Sequence, residues 1–358
     1  MLLFKFIKFV IITFYIYIIL ISPFYDKNLK KDRISFYRKN SINIGSVKNN
    51  RNRNKKNNLI NKQKLKENKK TIDVSYATDN KYIYPTIVSM TSLVVNAFNN
   101  TFYNIYVLHT PDFTQKSKEF LNTVEENYPD RCSIIYFNME NKYTDLSVNK
   151  KLNTPCYYRL SLPDLLPEVK RIIYLDGDTL VFEDLNELIE LNMKDNVIMG
   201  FLDSQVDALN DFGFKNATVL NTGTLLMDLE GLRKYNYPKK IEDFIFKNQN
   251  RLYQEDQTII NVVMQGRIAP LPPKYGVWAW SAKWEGKKFL DNQLPHLKFN
   301  EEEFYNAMKY PAILHFISPK PFWKLYTGFY NVWWDYAKLT GFFWEIYLRS
   351  PIQKIRMR

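Results

Sequence analysis

Asp176 and Asp178 stand one residue apart in Arg171-Ile172-Ile173-Tyr174-Leu175-Asp176-Gly177-Asp178-Thr179-Leu180-Val181-Phe182, at the end of an apolar, β-prone run. Both carboxylates offer hard anionic oxygens. Gly177 puts no side chain between them, so both can reach one divalent cation such as Mg²⁺ or Mn²⁺. A cation held there would neutralise a diphosphate as it leaves. An Asp-x-Asp triplet arises by chance about once in a chain of this length, so its meaning depends on its surroundings.

The elements that must position these carboxylates begin at Thr71. Ile72–Ala77 reads as a strand, Pro85–Phe98 has helical spacing, and Asn104–Leu108 is a second strand. Gln115–Glu126 is an amphipathic helix and Cys132–Phe137 a third strand; Leu160–Leu166 and Arg171–Leu175 add a helix and a fourth strand. Strands alternating with helices predict an α/β fold, a mixed and mostly parallel sheet flanked by helices. Ligands of such sheets lie beyond the carboxyl ends of strands. Tyr76-Ala77-Thr78-Asp79 and Leu175-Asp176-Gly177-Asp178 both fall at strand ends, which predicts one shared crevice.

The formal net charge of +13 first suggests nucleic acid, but residues 26–70 alone carry 16 Lys and Arg against three acids. The rest of the chain is close to neutral, so the footprint of a nucleic-acid-binding fold is missing from it. Residues 26–70 are rich in Asn and Lys and bury too little apolar surface to offset their ordering entropy, which predicts a disordered stem. Before it, Phe9–Tyr25 holds 17 residues without a charge. As a helix it would span roughly 25 Å, with Lys5 and Lys8 free to snorkel. No small-residue cleavage pattern follows, which favours an uncleaved signal anchor over a signal peptide. The expected domains are therefore an anchor (1–25), a stem (26–70), an α/β domain (71–330) and an aromatic and basic C-terminal segment (331–358).

Counting basic flanks places the large domain in the cytosol, whereas long translocated domains disregard charge beyond the first flank. The expected location is a single-pass type II protein of the ER or Golgi with a lumenal domain, its orientation open. Asn99-Asn100-Thr101 and Asn216-Ala217-Thr218 are glycosylation acceptors whose occupancy would report the side. Cys132 and Cys156 form neither a disulfide framework nor a zinc site and read as free thiols, with a single bridge as the alternative. Trp323, Trp333, Trp334, Phe342, Phe343 and Trp344, followed by Lys354, Arg356 and Arg358, suit either a membrane interface or a packed C-terminal helix.

Six segments in order resemble the family 8 glycosyltransferases, the glycogenin and lipopolysaccharide galactosyltransferase-like enzymes. Tyr76-Ala77-Thr78-Asp79-Asn80-Lys81-Tyr82 is similar to the family's opening strand and uracil-binding turn. Pro155-Cys156-Tyr157-Tyr158-Arg159-Leu160 is similar to its Tyr-x-Arg-Leu segment, and Tyr174–Asp178 to its metal motif. Leu220–Leu229 resembles its Asn-x-Gly strand, Tyr253–Asn261 its Asp-Gln pair, and Leu314–Trp323 its closing His-and-Lys segment. Together they span about residues 72–324.

The resemblance implies a GT-A fold and a retaining, metal-dependent transfer of glucose or galactose from a UDP-sugar to a glycan, lipid or protein acceptor. It places Asp79 on the uracil imide, Tyr82 against the ring, and Ala77 in the same turn. Asp176, Asp178 and His315 become metal ligands, and an imidazole beside carboxylates favours Mn²⁺ over Mg²⁺. Arg159 is suited to a bidentate contact with donor sugar or phosphate. Asp203, Asn221 and Gly223 fall on the sugar. Gln257 would stabilise the oxocarbenium-like state, with Asp256 orienting the sugar or acceptor. Lys320 would hold the β-phosphate, with Lys324 as the alternative.

Ser318 stands where relatives carry Gly, and the spacing to the lysine is one residue shorter. That departure leaves open a membrane-tethered module that binds nucleotide-sugar without turnover. Self-glycosylation on a tyrosine is neither supported nor excluded. A haloacid-dehalogenase phosphatase is disfavoured because the Asp-x-Asp sits mid-domain with no acidic pair after it, and no P-loop is present.

Overall fold

The computed structural model describes residue 66 and residues 68–352, apart from 147–153, 204–205, 216, 280–299, 319 and 326–327. The expected anchor and nearly all of the stem lie outside the described residues. Among the described residues no helix is long and apolar enough to cross a membrane.

In chain order the strands are β1 (Lys70–Thr78), β2 (Thr101–His109), β3 (Cys132–Asn138), β4 (Arg171–Leu175), β5 (Thr179–Val181), β6 (Ile198–Leu202), β7 (Leu220–Asp228), β8 (Ile268–Pro270), β9 (Val277–Trp278) and β10 (Ile313–His315). Seven of them form a central sheet in the order β3-β2-β1-β4-β7-β6-β8. Neighbours run parallel except where β7 lies antiparallel to β4 on one side and β6 on the other. A smaller sheet has the order β5-β10-β9.

The apolar run Ile172–Leu175 is fully buried at the centre of the large sheet, as both faces of a covered parallel sheet require. Pairing of Ser75 with Tyr174 brings the carboxyl ends of β1 and β4 side by side, so Asp79 and Asp176 open onto one crevice. The helix Ile83–Val95 covers the sheet with Ile87, Val88, Met90, Leu93 and Val94. Its C-terminus is tied down by Asn96, whose Nδ2 donates to the Val181 carbonyl at 2.8 Å.

Two expectations are corrected. The expected helix Leu160–Leu166 is instead a 3-10 turn, Thr154–Ser161, followed by a single helical turn, Leu162–Leu165. Pro163 has no N–H to donate, which removes a bond that a longer helix would need. The expected helix Pro85–Phe98 starts and ends earlier, at Ile83–Val95. In the C-terminal segment, Trp333 and Trp334 of the helix Tyr330–Leu339 are buried, and Trp333 packs 6.3 Å from the Phe322 ring. Trp344 and Leu348, on the helix Phe343–Arg349, are exposed.

Candidate active site

Ala77, Asp79, Tyr82, Arg159, Asp176, Asp178, Asp203, Asn221, Gly223, Asp256, Gln257, His315 and Lys320 all line one cavity of about 680 Å³, whereas Ser318 and Lys324, the alternative to Lys320, are not among its lining residues. That volume is ample for a nucleotide-sized ligand.

The metal-ligand candidates are assembled by strand pairing. Asp176 follows β4 and is held by its N–H donating to the Gly223 carbonyl at 2.8 Å. Thr179 closes the turn by donating from N and Oγ1 to the Asp176 carbonyl, at 3.1 and 2.9 Å. β10 then runs antiparallel to β5 with His315 opposite Thr179, and the Phe316 N–H donates to the Asp178 carbonyl at 2.9 Å. The register leaves His315 Nε2 3.2 Å from Asp178 Oδ1 and 3.6 Å from Asp176 Oδ2. One ligand atom from each residue lies within 4.8 Å of the others.

Gly223 makes that approach possible. A Cβ there would overlap the His315 ring and come within 2.8 Å of Asp176 Oδ2. Two carboxylates and an imidazole, brought together over a position that only hydrogen can occupy, fit a first-row divalent cation.

Asp178 is surrounded by donors. Its Oδ2 accepts from the Tyr82 hydroxyl at 2.8 Å and pairs with the Lys320 ammonium. Burial pushes the Asp178 carboxyl up, but Lys320 and then His315 outweigh it and hold the group well below the usual carboxylate range.

Arg159 is a buried pillar between the two acidic positions. Its Nη2 donates to Asp176 Oδ1 at 2.8 Å, its Nη1 to the Thr222 carbonyl and its Nε to the Cys156 carbonyl at 2.9 Å. The guanidinium also lies 4.2 Å from the centre of the Tyr174 ring. Asp256 Oδ2 is 3.1 Å from Nε yet has no hydrogen bond, because the Nε proton points at Cys156. Burial therefore dominates at Asp256 and, against the pull of Arg159, raises its pKa to about 6.

The other half of the cavity is built by β6, β7 and the helix Glu255–Val263. A register shift between Gly200 and Phe201 re-aims the end of β6, and the Asp203 N–H then donates to the Val219 carbonyl at 2.8 Å. Asn261 clamps the helix to β7: it accepts from the Leu220 N–H at 2.7 Å and donates to the Leu220 carbonyl at 2.8 Å. Glu255 opens the helix at φ 48°, a left-handed conformation that costs a non-glycine residue energy and turns Asp256 and Gln257 into the cavity. Gln257 Nε2 donates to Asp203 Oδ2 at 3.1 Å, and Asn221 Nδ2 donates to Gln257 Oε1 at 3.3 Å.

At the β1 end of the cavity, Asp79 Oδ1 accepts from the N–H groups of Lys81 and Tyr82 at 2.9 and 2.7 Å, fixing the turn after β1. The Tyr82 ring lies 5.3 Å from Trp323, centre to centre. Tyr82 thus joins the first motif to Asp178 through its hydroxyl and to the closing segment through its ring.

Sequence reasoning missed Tyr174, whose hydroxyl donates to Asp176 Oδ1 at 3.1 Å, and Gln254, whose Oε1 accepts from Gln257 Nε2 at 3.0 Å. Tyr174 opens the segment that resembles the metal motif, but as the fourth residue of an apolar strand run its hydroxyl had no assigned partner. Gln254 lies inside a quoted segment, but nothing in its spacing points to Gln257.

The profile of Glycosyl transferase family 8 matches residues 73–326. General stress protein A of Bacillus subtilis is 26% identical over 195 residues, 52% of this chain and 65% of that protein, so the chain spans just under two thirds of it. A lipopolysaccharide 1,2-glucosyltransferase of Escherichia coli is 24% identical over 303 residues, 81% of each chain. Among solved structures, the galactosyltransferase LgtC in complex with donor and acceptor sugar analogs shares the fold at a TM-score of 0.61 and 18% identity, covering 75% of this chain and 95% of that one. The bifunctional glycosyltransferase WbbM matches at a TM-score of 0.64 and 21% identity, covering 78% of this chain and 52% of that one. With most of the described domain inside the family profile, and its motifs converging on one cavity at the strand ends, this chain belongs to glycosyltransferase family 8.

Proposed function

We propose that this glycosyltransferase moves glucose or galactose from a UDP-sugar to a glycan, lipid or protein acceptor, with retention at the anomeric carbon and a requirement for a divalent cation, Mn²⁺ in preference to Mg²⁺. The observation that carries this reading is the convergence of Asp176, Asp178 and His315 in the same cavity as Lys320 and Gln257. Asp176, Asp178 and His315 would hold the cation, which when bound supplies positive charge to the departing diphosphate. Arg159 holds Asp176 in orientation from behind. Asp256, pinned beside Arg159, orients the sugar, and the Gln257 amide meets the charge that develops as the glycosidic bond breaks. Tethering through residues 9–25, with the domain on the lumenal side, belongs to the same proposal, and glycan occupancy at Asn99 reports the side.

Lys320 has two anions to serve. It pairs with Asp178, and the same ammonium is within reach of a diphosphate held in the cavity it lines. Lys320→Met is therefore expected to shift two affinities in opposite directions. Mn²⁺ alone should bind about tenfold tighter, because a competing positive charge is gone. UDP in the presence of Mn²⁺ should bind about tenfold more weakly, because a charged phosphate contact is lost. Calorimetry on the full chain reads both; affinities that fall together would assign Lys320 a structural role. The function itself is tested by release of UDP from UDP-glucose and UDP-galactose. A chain that binds UDP tightly and releases none from either donor would be a nucleotide-sugar-binding module instead.

A further inference from the structure

The Gln257 amide sits in a relay of hydrogen bonds whose direction is set at both ends. At one end the Gly223 N–H, which can only donate, meets Asn221 Oδ1 at 3.1 Å. Asn221 Nδ2 is thereby turned to donate to Gln257 Oε1 at 3.3 Å. At the other end the Asp203 carboxylate, an acceptor when ionised, takes one proton of Gln257 Nε2 at 3.1 Å. Gln254 Oε1 takes the second at 3.0 Å. The amide nitrogen has spent both hydrogens, whereas the amide oxygen keeps a lone pair. Turned over, the same amide would set its oxygen against the Asp203 carboxylate and its N–H against that of Asn221.

Gln254 reaches this position because of the strained start of the following helix. With Glu255 at φ 48°, the Gln257 N–H bonds the Gln254 carbonyl at 2.9 Å, and the two side chains close a second contact above the backbone one.

We propose that Gln254 is a positioning residue for sugar transfer: with Asp203 it locks the Gln257 amide so that Oε1, rather than Nε2, is presented to the carbon that loses the diphosphate. This rests on the transferase function proposed above. As the C–O bond to the leaving diphosphate breaks, its electron pair goes to the phosphate oxygen and positive charge builds on the sugar. A fixed, electron-rich oxygen stabilises that charge, and an N–H in its place would oppose it.

The test uses the full chain with Mn²⁺ and, as donors, UDP-glucose and UDP-galactose. Gln254→Met keeps the length of the side chain and removes its acceptor; Gln254→Asn leaves the acceptor one methylene short. Both are expected to lower kcat for UDP release about tenfold, the weight of one hydrogen bond that keeps the amide oxygen in place. Donor KM and the Kd of UDP are expected to stay within about twofold of wild type, which also reports intact folding. Gln254→Glu restores an acceptor oxygen at the same reach and is expected to keep kcat within about threefold. A Gln254→Met chain with wild-type kcat overturns the inference, as does a loss shared equally by the Met and Glu variants or confined to KM. A wild-type chain that binds UDP but releases none from either donor overturns the transferase function itself, and this role with it.

Discussion

An Asp178→Asn chain is expected to fold, to bind no divalent cation tightly, and to release UDP about a thousandfold more slowly than wild type, the size of several kcal/mol of transition-state charge stabilisation. The substitution keeps the shape of the side chain. Its carbonyl oxygen can still accept from the Tyr82 hydroxyl, now 2.8 Å from Asp178 Oδ2, so the turn after β4 and the first motif stay joined. What is lost is charge. The amide is neutral, and its NH₂ cannot ligate a cation on the side now 3.2 Å from His315 Nε2. Lys320 loses its anionic partner and becomes free for phosphate, so UDP binding without metal should weaken less than turnover does. Calorimetric titration with Mn²⁺ beside a UDP-release assay checks both halves. Mn²⁺ affinity unchanged from wild type would remove Asp178 from the ligand set.

Gly223→Ala is expected to damage the same centre by steric means. Its methyl group would overlap the His315 ring and crowd Asp176 Oδ2 at 2.8 Å, at a buried position in the middle of β7. The backbone of β10 cannot shift away, because the Phe316 N–H bonds the Asp178 carbonyl and the Ala279 N–H bonds the His315 carbonyl. Overpacking of this kind costs about 1–3 kcal/mol of stability, and a displaced ligand side chain costs about 10–100-fold in metal affinity. The variant should therefore unfold a few degrees lower than wild type in a thermal melt and need far more Mn²⁺ to reach half-maximal UDP release. A variant with the melting temperature lowered but the Mn²⁺ requirement unchanged would show that His315 yields without leaving the metal position, contrary to its proposed role.

The parts of this molecule that were legible in the sequence are those written locally. The run Arg171–Leu175 forms β4 with the expected bounds, because five consecutive β-prone residues with an apolar majority admit little else at the centre of a sheet. Strand ends place Asp79 and Asp176 on one crevice for the same topological reason that governs all such sheets. The family resemblance supplied the partners that are far apart in the chain, and of its two candidate lysines Lys320, not Lys324, lines the cavity.

What stayed hidden depends on side-chain direction or on pairing between distant segments. His315 reaches Asp178 only because β10 pairs antiparallel with β5, and nothing in Ile313-Leu314-His315 announces that register. Tyr82 was expected against a base; its hydroxyl is on Asp178 and its ring beside Trp323, contacts set by a rotamer rather than by spacing. Arg159 was expected to reach the donor; it lines the cavity, and three of its five N–H groups also hold Asp176 and two backbone carbonyls, contacts that depend on the 3-10 turn Thr154–Ser161. The same holds for Gln254, whose role emerges only once Glu255 adopts its left-handed conformation. Towards the C-terminus, the aromatic residues from Trp323 to Trp344 read alike in the sequence, yet packing against Phe322 buries Trp333, whereas Trp344 is exposed.

The central claim, that cation-bound carboxylates and His315 assist departure of UDP from a UDP-hexose, is tested most directly by UDP release from the full chain. UDP-glucose and UDP-galactose are each supplied with Mn²⁺, and then with Mn²⁺ removed by chelation. Release from one of the two donors that stops on chelation and returns when Mn²⁺ is restored is the expected result. Release that continues undiminished under chelation would contradict it.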